Sequence, residues 1–156
     1  MVATIRISRG TALTRLGRLD EAEAELKQAW AQVSVSDNAQ GSAFSAAIAL
    51  AQLAVARSDR DAARAWFGRA ERMARRTFEP TSSFRSNASF LYGAFELETG
   101  GEIAAARTLL RRSAFGTLAR IESYDDFDAA AQREMRGLSQ IFRNQVEAAW
   151  KLQEAR

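Results

Sequence analysis

The sequence predicts an all-α fold, an array of three antiparallel helical hairpins with a long C-terminal helix. Three observations predict it. Apolar residues recur at i, i+3 and i+4 along most of the 156 residues, and no segment keeps a two-residue alternation for long. Proline occurs once, at Pro80, so little interrupts helix propagation. A small-large-small triplet recurs at intervals of 41 and 43 residues, which is the mark of a repeated hairpin.

The elements follow in order. The first helix is expected over 3–16 and stops at Gly17; the second runs over 20–35. "SVSDNAQG" breaks the chain, and Asp37 with Gln40 has the spacing of a capping box for a third helix over 39–57. Ser58 with Asp61 is placed to cap a fourth over 60–77. "FEPTSS" is the clearest loop, and its serines start a fifth helix over 82–99. "TGG" ends that helix and a sixth runs over 102–122. "ESYDDFD" interrupts again before a final helix over 126–155. The expected division is 1–122 for the repeats and 123–156 for a capping or connecting helix.

The triplets are Ala22, Leu26, Ala29; Ala63, Phe67, Ala70; and Ala106, Leu110, Ser113. Each follows a short turn ("GRLDE", "SDRDA", "GEIAA"), and each turn follows a small residue: Gly10, Ala51 or Ala94. Two closely packed antiparallel helices need small side chains where their axes cross. The larger Leu26, Phe67 and Leu110 then fill the space towards the next hairpin. One hairpin cannot bury its apolar face alone.

These residues resemble the tetratricopeptide-repeat (TPR) family over about 3–122. "GRLDEAEAELKQAW" carries Gly17 at the turn, Leu19 at the turn's large position, then Ala22, Leu26 and Ala29. The second copy has Ser58 for the glycine; the third has Gly101, Ile103, Ala106, Leu110 and Ser113. The copies depart from the family in being longer than its roughly 34-residue unit. They also carry Arg6, Ala47 and Phe90 at the first-helix tryptophan position and lack the unit-ending proline. In this they resemble the degenerate units of about 40 residues in bacterial signalling and regulatory proteins.

The resemblance implies a non-catalytic scaffold, or a sensory module, that holds a protein or peptide partner on the repeat surface. First helices line the groove in this family. That implies Ile7, Thr11, Thr14 and Arg15 in the first pair, Ser45, Ile48, Gln52 and Val55 in the second, and Ala88, Leu91, Phe95 and Glu98 in the third. The surface lacks a lysine–asparagine carboxylate clamp, so a helix-in-groove contact is the expected mode.

Composition excludes several chemistries. There is no histidine and no cysteine, which removes Ser–His–Asp and Cys–His catalysis, disulfides and thiolate zinc sites. No cofactor, metal site or phosphate loop is expected. The 22 basic residues, all arginine except Lys27 and Lys151, are matched by 19 acids, for a charge of +3. Acids accompany the arginines, so nucleic acid is a disfavoured partner, held open only by "RAERMARR" (69–76) and "RTLLRRS" (107–113). No apolar run spans a membrane and no signal sequence opens the chain, so the expected location is cytoplasmic. Asp125, Asp126 and Asp128 in "YDDFD" read as a helix cap, Glu21, Glu23 and Glu25 as solvated surface, and Trp30, Trp66 and Trp150 as packing.

The last helix carries Leu138, Phe142, Gln145, Ala149 and Leu152 at alternating four- and three-residue spacing, a short coiled-coil seam. Two expectations follow. It caps the last hairpin, or it self-associates into a homo-oligomer. After TPR-like arrays, such a helix leads into an output domain such as a diguanylate cyclase or histidine kinase.

Overall fold

The computed structural model describes residues 2–35, 39–124 and 129–154. They form seven helices: α1 (Val2–Arg15), α2 (Leu19–Val33), α3 (Gln40–Ala56), α4 (Arg60–Thr77), α5 (Ser83–Glu98), α6 (Ile103–Glu122) and α7 (Ala129–Glu154). There is no strand among the described residues. The all-α class and all seven expected segments are observed, with ends shifted by a few residues. The Asp37 cap and the acids Asp125, Asp126 and Asp128 lie outside the described residues. Contacts divide the chain into two compact units, Met1–Met73 and Ala74–Arg156, with the division inside α4.

One turn is used three times. After α1, Gly17 has φ 74° and its N–H donates to Thr14 O (3.1 Å), while the Arg18 N–H donates to Leu13 O (3.0 Å). After α3, Ser58 has φ 60°, with Ser58 N–H on Val55 O and Asp59 N–H on Ala54 O, both at 2.9 Å. After α5, Gly100 has φ 65°, its N–H faces Leu97 O (3.4 Å), and Gly101 N–H reaches Glu96 O (2.8 Å). This double closure satisfies carbonyls that a helix end leaves open, and it needs a left-handed residue. The glycine position of the third turn is therefore Gly100, and Gly101 follows it. Ser58 is likewise a helix-ending residue. The cap of α4 is Asp59, whose Oδ1 accepts from the Ala62 N–H (3.0 Å).

In the first unit, α1 and α2 pack antiparallel. A Cβ on Gly10 would lie 2.6 Å from Leu26 Cγ and 2.7 Å from Cδ2, so only glycine admits this approach. Leu13, Ala22, Leu26, Ala29 and Val33 join Ala43, Ala46, Leu50 and Leu53 of α3 in one core, with Leu19 packed against it. Ten residues of α3 are buried, as expected of a helix apolar on nearly every side. Trp30 and Trp66 meet edge to face at 5.1 Å, and the Arg69 guanidinium lies 5.2 Å from both ring centroids. These two tryptophans therefore pack the surface of the hairpin core.

In the second unit, α5 and α6 repeat the arrangement. A Cβ on Gly93 would lie 3.0 Å from Leu110 Cγ and 3.1 Å from Ala106 O. The small crossing residue is thus Gly93, seven positions before Gly100 as Gly10 is before Gly17, whereas Ala94 is half-buried beside it. Leu97, Ala106 and Leu110 form a core with Ala148 of α7, with Ile103 packed against it, and Ala114 forms another with Leu138 and Ile141.

Candidate functional site

The expected groove residues fall at different depths. Ile7 belongs to the first core, and Ile48 and Phe95 are buried, so these three are packed side chains. Thr11 is half-buried with its hydroxyl on Ile7 O (2.8 Å), and Leu91 is half-buried. Arg15, Gln52, Val55 and Glu98 are exposed. Thr14 and Ser45 return their hydroxyls to the carbonyls four residues back, and Ala88 is buried.

The acids of α2 are all paired. Glu25, nearly covered, takes Arg6 at 2.9 Å and Arg9 at 3.1 Å, which ties α1 to α2. Glu23 pairs with Lys27 (2.6 Å) and Arg57 (3.0 Å), and Glu21 with Arg18 (2.6 Å). Glu25 thus forms structural ion pairs between helices and Glu23 is half-buried, whereas Glu21 lies on exposed surface as expected.

The seam of α7 is divided between two environments. Leu138 is buried against Ala114 and Ile141. Gln145 donates its Nε2 hydrogen to Leu110 O (3.0 Å), and Leu152 is half-buried. Phe142 and Ala149 face outward. The apolar arc of α7 is thus wider than the surface α5 and α6 offer it. Met135, Phe142, Val146 and Trp150, at spacings of seven, four and four, form an uncovered strip in which Val146 is 70% and Trp150 64% exposed. A shallow groove beside the strip is lined by Arg107 and Arg111 of α6 and Gln145, Val146 and Ala149 of α7. Arg136 and Arg143 stand one heptad apart on the strip's other flank. None of these four arginines has an acid partner among the described residues.

A second feature lies between α5, α6 and α7, where the apolar core gives way to a cavity of about 580 Å³. Ser83, Ser86, Asn87 and Phe90 line it from α5, Ser113, Thr117 and Arg120 from α6, and Glu134, Gly137, Gln140 and Ile141 from α7. Tyr124 and Arg133 complete the wall. Arg120 is held on all sides. Its Nε and Nη2 donate to the two Glu134 oxygens (3.0 and 2.7 Å), and Nη1 donates to Thr81 O (2.6 Å) and Ser86 Oγ (3.4 Å). This two-pronged pair fixes α7 against α6. No group of three acids or other ligating side chains gathers among the described residues to hold a metal.

The residue rows 83-86-87-90, 113-117-120 and 134-137-140-141 are helical stripes legible in the sequence. The signal within them is a buried hydroxyl at Ser86, Ser113 and Thr117, where the hairpin pattern asks only for a small apolar side chain. Comparison with known protein families, with curated proteins and with solved structures finds no match to this chain.

Proposed function

We propose that this chain is a non-catalytic interaction module that docks an acidic amphipathic helix on the uncovered face of α7. The carrying observation is the apolar strip Met135, Phe142, Val146 and Trp150, set between Arg107 and Arg111 on one side and Arg136 and Arg143 on the other. A partner helix lays its own apolar stripe on such a strip, and its flanking acids meet the arginines. Aromatic and arginine side chains are the residues that most often anchor an interface. The mode is the one implied by the TPR-like resemblance, with the docking face on the closing helix instead of the first helices.

The protein partner is favoured over nucleic acid because the centre of the surface is apolar and the charges lie at its edges. Fluorescence anisotropy with a labelled amphipathic helical peptide of about 20 residues tests it. A peptide with glutamates flanking its apolar stripe is expected to bind, and the same stripe flanked by lysines to bind at least about tenfold more weakly. Val146→Asp and the pair Arg107→Glu, Arg111→Glu should abolish or reverse that preference. Equal binding of both peptides removes the charge argument. Sedimentation showing a dimer that Val146→Asp dissociates assigns the face to a second copy instead. Salt-sensitive binding of a labelled RNA oligonucleotide at the same arginines assigns it to nucleic acid.

A further inference from the structure

We propose that the cavity between α5, α6 and α7 is a binding site for a small organic carboxylate with an apolar body. It lies on a different face of α7 from the docking strip and does not depend on it.

Four observations carry the assignment. First, the lining buries three hydroxyls, Ser86 on α5 and Ser113 and Thr117 on α6, although burying a hydroxyl costs free energy that an apolar core avoids, while Asn87 and Gln140 stand exposed at the rim. Second, Ser113 is 0% exposed and its Oγ has no hydrogen-bond partner among the described residues. It occupies the position that Ala29 and Ala70 hold in the other two triplets, where a methyl suffices. An orphaned hydroxyl there is a cost to the empty protein and a contact for a bound molecule.

Third, Gly137 sits inside a helix with nothing within 4 Å of where its Cβ would be. Gly10, Gly93 and Gly116 are each explained by a close neighbour: Leu26, Leu110 and Ser86 Oγ respectively. Gly137 has no such neighbour, and glycine in a helix interior is costly. Gly137 is exposed, so its missing side chain leaves the mouth of the cavity open.

Fourth, among the described residues the cavity lining holds one cation without an acid partner. Glu134 already neutralises Arg120, each of whose three nitrogens donates a hydrogen bond. Arg133 has no acid partner among the described residues. The lining therefore presents one guanidinium for a single negative charge, hydroxyls and amides around it, and Phe90 and Ile141 for an apolar body. The volume suits a small organic molecule.

The test uses ¹⁵N-resolved NMR of the whole chain with phenylacetate, 4-hydroxybenzoate and isovalerate, and phenylacetamide as the neutral control. At least one carboxylate should bind below about 10 mM, with shifts centred on residues of α5, α6 and α7 that line the cavity, and the amide about tenfold more weakly. Gly137→Leu, which fills the open volume without a backbone clash, should abolish binding while keeping Tm at or above the parent value. Arg133→Gln should weaken binding about tenfold. Ser113→Ala should leave Tm unchanged or higher yet weaken binding, which a merely structural serine would not do. No binding by any carboxylate, equal binding of the amide, or unaltered affinity in Gly137→Leu overturns the proposal.

Discussion

Ser58 occupies a backbone position that glycine fills in the two companion turns. Its φ of 60° lies where an L side chain is strained, while Gly17 and Gly100 take 74° and 65° without penalty. Ser58→Gly should therefore stabilise the protein by roughly 0.5–1 kcal/mol, with the relief of strain partly offset by the entropy glycine loses on folding. Denaturant unfolding reads this directly, and a loss of stability would show that the serine side chain contributes something the turn geometry does not reveal. Gly10→Ala should go the other way, by about 1–3 kcal/mol, because the new methyl would fall inside Leu26. Electrostatics at this scale is modest. The Glu21 carboxyl is held below its ordinary 4.5 chiefly by its hydrogen bond with Arg18. A depressed folded value means the pair contributes above the unfolded value and is lost as pH falls through the folded one. NMR titration should place Glu21 below 4.5, and Arg18→Gln should return it to the ordinary range. An unmoved midpoint would assign the shift to another neighbour.

At the scale of the element, α7 shows what spacing reveals and what it hides. The recurrence of Leu138, Phe142, Gln145, Ala149 and Leu152 correctly marks an apolar side of a long helix. It cannot say which half of that side is already covered, because cover depends on where α6 lies, and that is set by Leu110, Ala114 and the Arg120–Glu134 pair far away in sequence. The seam straddles the border between covered and open surface. Leu138→Ala should consequently cost about 2–5 kcal/mol, whereas Phe142→Ala, on the open half, should change stability by no more than about 0.5 kcal/mol. Thermal melts of the two variants separate these cases, and equal losses would mean that Phe142 is covered in solution. The hairpin turns were more legible. Gly17, Leu19 and Ala22 carry local rules, and local rules survive without tertiary information. The third copy was misaligned by one residue because two adjacent glycines, Gly100 and Gly101, fit the turn equally well on paper. Only the backbone shows that Gly93 and Gly100 keep the seven-residue spacing of Gly10 and Gly17. The cavity was illegible for a different reason. A serine or glutamine on a helix is ordinary at the surface, and nothing short of three packed helices reveals that these face one another.

For the molecule as a whole, the basic excess is spread thinly: the first unit holds 10 basic and 8 acidic residues and the second 12 and 11. Neither unit carries a large excess of one sign, so any charge preference of the proposed docking face rests on local patterns such as the arginines flanking the α7 strip. The two units also hold separate clusters of buried residues. Leu26 is buried at the centre of one and Leu110 at the centre of another, each with no exposed surface. Removing either leaves a cavity that rigid helical neighbours cannot fully close, and the cost is about 2–5 kcal/mol. Cores with their own contacts open as their own cooperative units. In native-state hydrogen exchange, Leu26→Ala should therefore lower protection across α1, α2 and α3 together and leave α5, α6 and α7 near their parent values. Leu110→Ala should do the reverse. A common loss across all six helices in either variant would mean that the chain unfolds as one body, and that the division inside α4 is one of contact geometry and not of stability.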